Sequence, residues 1–392
     1  MKRIYKSLSV ILSVMILSLS FSAFGVIVSA DDQQEGIFLF RIEGNEAVLT
    51  GIETGASGDI EVPSKLGGRD VKMIDKAFNR KPGITSVTLP DTVNKITNDS
   101  FADCSQLESI TFGNALVIIG EGAFCRCGNL KSVYIPDSVT NIGQYAFAYC
   151  EKLTSVRLSE NISLLDNGVF NGCLSLMEIN IPESVSFIRN EAFTGTGYYN
   201  TEENWENSVL YLGKHIIAVR TTLSGLYEVR EDTKSISDLV FIGCDSLTGI
   251  IIYDNLRKIG ESAFLNCASL TDVYFTGTIE DRKRIRVEKN NIALNNALWH
   301  YSYDPNVKEY APGDINGDDA INNKDLLRLF KYLSDWDVEV TDSVLDVNGD
   351  GSVDNKDLTR LFQYLSGWDV EIHAKNLGGN FSGEDYGPIV SF

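Results

Sequence analysis

Hydrophobic positions along the chain keep a 23-residue clock. Phenylalanine recurs at Phe78, Phe101, Phe124, Phe147, Phe170 and Phe193, and the beat returns at Phe241 and Phe264. Six residues after seven of these anchors stands an aliphatic: Ile84, Leu107, Leu130, Leu153, Leu176, Leu247, Leu270. Nine and eleven residues after the anchor come two more apolar positions, as in Val87/Leu89, Val133/Ile135, Ile179/Ile181 and Val273/Phe275. That alternation predicts a short strand with one buried face. Ile96, Ile119, Ile142, Leu165, Ile188 and Ile259 then close each turn, five residues before the next anchor. Pro90, Pro136 and Pro182 follow three strands, where a missing N–H costs least. One such unit has too little core to fold alone, whereas stacked units bury a continuous core and pair equivalent strands. The pattern therefore predicts a parallel solenoid of eight or nine turns, roughly 40 Å long at about 4.8 Å per strand.

The unit, almost complete from Ala123 to Phe147 (AFCRCGNLKSVYIPDSVTNIGQYAF), resembles the BspA-type leucine-rich repeat of bacterial surface and secreted proteins. Gly36–Asp75 resembles that family's N-terminal cap, a β hairpin leading into the first repeat. Gly195–Arg220, with Tyr198, Tyr199 and Trp205, resembles a hairpin insertion and accounts for the gap between Phe193 and Phe241. The segment ending at Tyr303 looks like the C-terminal cap. The resemblance implies a right-handed parallel leucine-rich-repeat solenoid, an α/β fold of strand-plus-irregular 23-residue turns, over residues 31–303.

Six of the seven cysteines sit three residues after an anchor: Cys104, Cys127, Cys150, Cys173, Cys244 and Cys267. Equivalent positions of stacked turns point the same way with Cβ atoms about 4.8 Å apart, against about 3.8 Å in a disulfide. They are expected to be reduced rungs of the core, where cysteine behaves as a small hydrophobe. Cys125 lies off that column.

After a short linker (304–312) the pattern changes, and a segment occurs twice, 32 residues apart: GDINGDDAINNKDLLRLFKYLSDWDVE and LDVNGDGSVDNKDLTRLFQYLSGWDVE. Oxygen donors at loop positions 1, 3, 5 and 12 are Asp314, Asn316, Asp318 and Asp325 in the first copy, and Asp346, Asn348, Asp350 and Asp357 in the second. With the position-7 carbonyl (Ala320, Ser352) and Asn322 or Asp354 at position 9, each copy has the donor set of an EF-hand calcium loop. Two Ca2+ ions are expected. Gly351 suits the sharp turn at position 6; Asp319 suits it less, so the first loop is expected to be looser. The helix after each loop is read as amphipathic, with Leu326, Leu329, Phe330 and Leu333 and then Leu358, Leu361, Phe362 and Leu365 facing inward. From Asp314 to Glu371 the net charge is −9, so calcium is expected to be needed for folding.

Two loop–helix units with Asp rather than Glu at position 12 resemble a type I dockerin, a small all-α calcium-binding module (313–373). The resemblance implies docking to a cohesin module of a scaffoldin, as in a cellulosome. It assigns partner contact to Asn323 and Lys324, with Arg328 and Tyr332, and to Asn355 and Lys356, with Arg360 and Tyr364. The same pair in both copies fits either of two docking poses.

Composition narrows the remaining possibilities. Lys2, Arg3 and Lys6, an apolar run from Leu8 and small residues at Val28-Ser29-Ala30 read as a secretory signal over residues 1–30, in preference to an uncleaved membrane anchor. The mature protein is expected to be exported, free of the membrane after cleavage, and cellulosome-associated at the surface of an anaerobic bacterium. Lys+Arg total 34 against 54 Asp+Glu, a formal −20, which disfavours nucleic acid as a partner. Signal, solenoid, docking module and a Gly-rich tail (374–392) leave no room for a catalytic domain. His215, His300 and His373 are isolated, with no HExxH or GxSxG nearby. The chain is expected to be a non-catalytic binding or adhesion subunit. Tyr134, Arg157, Asn180 and Tyr274 on outward strand positions are the candidate surface for a protein or polysaccharide ligand. The alternative is a polysaccharide hydrolase or protease-related subunit, since 54 carboxylates place some pair at glycosidase spacing by accident.

Overall fold

A computed structural model describes residues 32–305, 312–318, 320–340 and 344–373. Two compact units divide the chain between Tyr303 and Asp304. The signal, the tail, most of the linker and Asp319 lie outside the described residues. Among the described residues no helix is long and apolar enough to cross a membrane.

The first unit is a β-solenoid of about 11 turns, more than the eight or nine read from the anchors. At about 4.8 Å per turn the stack is roughly 50 Å long. The extra rungs come from elements without the phenylalanine clock. At the N-terminus Gln33–Glu35, Phe38–Glu43 and Glu46–Ile52 form an antiparallel meander. Its last strand then pairs in parallel with Arg69–Ile74, which starts the stack.

Each turn contributes to three walls. The outward-facing strands of the pattern form one wall, divided into separate short sheets, in which Ser86 pairs with Ser109, Val87 with Ile110 and, in the next sheet, Ser132 with Ser155, each 23 residues on. A second ladder, which the pattern showed only as its closing aliphatics, is made of two-residue strands such as Lys95–Ile96, Ile118–Ile119 and Asn141–Ile142. The third wall is the anchor turn. Phe101 N donates to Ala123 O and Phe124 N to Ala146 O, so the backbone is satisfied from turn to turn without regular strand. Rings from Phe78 to Phe193 stack with centroids 4.7 to 5.7 Å apart. The buried cysteines continue this order: Cys127 Sγ donates to Phe101 O and Cys150 Sγ to Phe124 O. All seven cysteines are free, and burial pushes the Cys173 thiol up to about 12.

The core is not continuous. One cluster runs from the N-terminal meander to Phe193 and Leu212; a second begins with Val209, Tyr211 and Ile216 and runs to Ala297. The insertion divides them. Trp205–Glu206, Val209–Leu212 and His215–Val219 form an antiparallel hairpin, and its last strand pairs in parallel with Ser235–Ile236. The turn before it loses its strand: Glu178–Asn180 is not a strand, and Ile179 and Ile181 are only half-buried. The segment has no strand to pair with on its C-terminal side, because the chain there enters the short helix Gly197–Asn200, whose Tyr198 N takes Leu176 O. Polar bonds join the halves at this point. Arg189 reaches Asp238 at 3.2 Å and Ser237 Oγ donates to Ile188 O at 2.6 Å.

The second unit contains helices α1 (Asn323–Leu333) and α2 (Asn355–Leu365). Ile315, Leu329, Val344, Leu345, Val347 and Leu361 form its core. The helix faces differ from the sequence reading in one respect: Phe330 and Phe362 are exposed. A residue next to Leu329 is turned about 100° from it on a 3.6-residue helix, and a core this narrow covers a single stripe.

Candidate functional site

The two loops of the second unit are built alike around the first and last carboxylates, Asp314 and Asp325 in one and Asp346 and Asp357 in the other, all buried. Asp325 and Asp357 close the loops from the first turn of the helices. Asp325 Oδ1 accepts from Asn316 N at 3.0 Å and Oδ2 from Asn322 N at 2.8 Å; Asp357 does the same with Asn348 N and Asp354 N. Asn322 and Asp354 are the N-caps, each completing a capping box with that aspartate. Loop closure and helix start are thus one hydrogen-bond system.

The donor chemistry fits calcium. Asp314, Asp318 and Asp325 each place a carboxylate oxygen within 4.8 Å of the others, and two of the three are fully buried. Like charges gathered away from water are stable when a cation shares them. Burial pushes the Asp357 carboxyl up, and Asp346 and Asp350 push it the same way. The buried Asn348 Nδ2 has no hydrogen-bond partner in this loop. Asn316 presents Nδ2 to Asp325 Oδ1 at 2.8 Å, and a half-turn of the amide exchanges that nitrogen for an oxygen ligand. The expectation of a looser first loop rests on Asp319, outside the described residues.

Asn323, Lys324 and Tyr332 on α1 and Asn355, Lys356 and Tyr364 on α2 are exposed, and Arg328 and Arg360 are half-buried. Arg328 Nη1 donates to Glu339 O at 2.6 Å and holds the segment after α1 against the helix. Sequence reasoning missed the apolar part of these faces. Phe330, Trp336 and Leu327 are at least half-exposed beside α1, and Phe362 and Trp368 beside α2. The available signal was the same Phe and Trp at the same offset in both copies.

The four outward residues chosen on the solenoid do not form one site. Tyr134 is exposed, but Arg157 lies 4.9 Å over its ring and is held by both oxygens of Asp137. Asn180 is off the ladder. Tyr274 belongs to another sheet, stacked on His300 at 4.5 Å with Tyr303 at 4.9 Å from it. Carboxylates after the strands serve the stack: Asp91 Oδ1 accepts from Asn114 N and Asp137 Oδ1 from Glu160 N, one turn on. The histidines stay apart, His215 buried on Ser235, His300 on Asp272 and His373 beside Glu371.

A family model described as BspA type leucine rich repeat region matches six copies over residues 72–199 and 219–289. One described as dockerin type I domain matches residues 312–366. No curated protein matches the chain. Among solved structures it is similar to a leucine-rich repeat protein from Bacteroides ovatus, with 26% identity over 62% of this chain and 70% of that one, at a TM-score of 0.39. A leucine-rich repeat protein from Bacteroides capillosus shows 28% identity over 32% of this chain and 96% of that one, at 0.29. The pneumococcal vaccine antigen PcpA shows 20% identity over 62% and 69%, at 0.40.

Proposed function

We propose a function from one premise, that the chain belongs to the BspA-type leucine-rich repeat family and carries a type I dockerin. Dockerin modules bind cohesin modules and calcium, both regions are of kinds typical of extracellular or cell-surface bacterial proteins, and no catalytic domain is evident. Our reading is an exported, non-catalytic subunit. Its C-terminal unit plugs into a scaffoldin, and its solenoid displays a surface to protein or cell-wall material.

The observation that carries this is the duplicated loop. In both copies the carboxylate that closes the loop also starts the helix. Asp314, Asn316, Asp318, Ala320, Asn322 and Asp325 would hold one ion, and Asp346, Asn348, Asp350, Ser352, Asp354 and Asp357 the other. Bound calcium neutralises the gathered carboxylates. The chain's own residues then do the docking. Asn323, Lys324, Leu327 and Phe330, or Asn355, Lys356 and Phe362 in the second pose, offer an apolar centre with a cationic margin, the layout in which a partner's side chains bury and register. Export, two ions, the ligand and the contacting residues are parts of this proposal.

In a pull-down with immobilised cohesin modules, capture of the chain is expected in millimolar calcium and lost in EDTA. Changing Lys324 or Lys356 alone should leave capture nearly intact, and changing both should weaken it. Undiminished capture in EDTA sinks the reading.

A further inference from the structure

The two calcium loops each carry a cation of their own. Lys324 Nζ reaches back six residues to Asp318 Oδ2 at 3.1 Å, and Lys356 Nζ reaches Asp350 Oδ2 at the same 3.1 Å. Lys356 also lies 3.4 Å from Asp354, where the first copy has Asn322. Both aspartates stand at loop position 5, a ligand position, and both lysines stand on the helix face assigned to the partner. Repetition of the contact in two loops of different sequence marks it as a property of the spacing.

We propose that Lys324 and Lys356 are tethered counter-cations. Each neutralises its loop's position-5 carboxylate when no ion is bound, and each is released to the outward face when calcium takes that carboxylate. The inference rests on the calcium-docking reading above and adds its regulation. Three carboxylates within 4.8 Å repel one another, and an ammonium on one of them removes part of that repulsion. A divalent ion held by that same carboxylate would repel the ammonium beside it. The long flexible lysine stem lets it leave at little cost. In contrast to the expectation that calcium is needed for folding, the calcium-free unit then keeps a weakened fold, and the lysines become available to a partner only once the ion is bound.

Thermal melts of the full exported chain, followed by circular dichroism at low ionic strength, test this with K324M/K356M and the charge-preserving K324R/K356R. Both positions are exposed, so neither variant should block folding. In EDTA the Met variant should lower the C-terminal unit's midpoint by about 4–8 °C, the size expected for two exposed ion pairs in a unit this small. The Arg variant should restore it, and raised salt should erase the difference. In saturating calcium, wild type and Met variant should melt together. Equal shifts with and without calcium overturn the inference, because a merely structural lysine would act in both states. No shift in EDTA, or no calcium-free transition at all, overturns it too. A wild-type midpoint indifferent to calcium instead removes the calcium reading itself, so the two failures are distinguishable.

Discussion

A 23-residue turn of the solenoid and a loop–helix copy of the C-terminal unit are each too small to fold alone, and they are completed by different things. The solenoid turn is completed by another turn. Its Phe ring and its strand meet equivalents one period on and its cysteine donates to the anchor carbonyl of the turn before, so interfaces repeat around a mainly apolar core. The loop–helix copy gathers buried carboxylates, and its one lysine on the loop balances only part of their charge. One unit is held by redundant burial, which tolerates losing a rung's worth of contact; the other depends on a few groups that fail together.

The largest effect expected from this difference comes with calcium removal. Ions at a thousandfold excess over Kd stabilise by about 4 kcal/mol per site. Chelation should therefore lower the C-terminal transition steeply and leave the solenoid transition in place. Differential scanning calorimetry with and without EDTA checks this, and a solenoid transition that moves in parallel would break the contrast. Next in size is truncation of an anchor. Phe147→Ala, in the first core, should cost about 3–5 kcal/mol in the solenoid alone. Because the insertion separates the cores, Phe147→Ala and Phe264→Ala should lower different parts of the solenoid's unfolding profile by hydrogen exchange. Uniform loss of protection from either variant would show the two cores to be one cooperative block.

Much of this was legible because a solenoid writes its period into the chain. The anchors, the aliphatics at Ile84 or Leu107 and the cysteine column all fell where the clock put them, since every turn repeats one packing problem. What the clock missed was whatever is too faint in the pattern or set by a neighbour outside the repeat. The two-residue ladder needs only one aliphatic per turn, too faint a pattern to read as strand. Asn180 was placed on a strand because its turn keeps the sequence, yet strand formation depends on a neighbour that the insertion takes away. In the calcium loops donor identity was plain from spacing. The exposed Phe330 and Phe362 were not, because helical periodicity does not say how wide a stripe the partner element covers.

The smallest of the expected effects lies at the insertion and sharpens the same contrast, since it places a titratable group in the unit held by apolar burial. His215 is buried with Nδ1 2.7 Å from Ser235 Oγ. Burial first, and then Lys234, push its imidazole down from 6.5 to about 4. The unfolded chain therefore binds a proton that the folded chain refuses between those values. Stability from this group is complete above pH 6.5 and is lost as pH falls toward 4, about 1 kcal/mol of it by pH 5.5. His215→Gln keeps a polar partner for Ser235 without the titration. The solenoid of this variant should lose less stability than wild type between pH 7.5 and 5.5 in denaturant melts that follow the repeat unit. An identical pH slope in the two proteins would mean that His215 is protonated as readily in the fold as in the open chain. The hairpin would then be open to water where it divides the two cores.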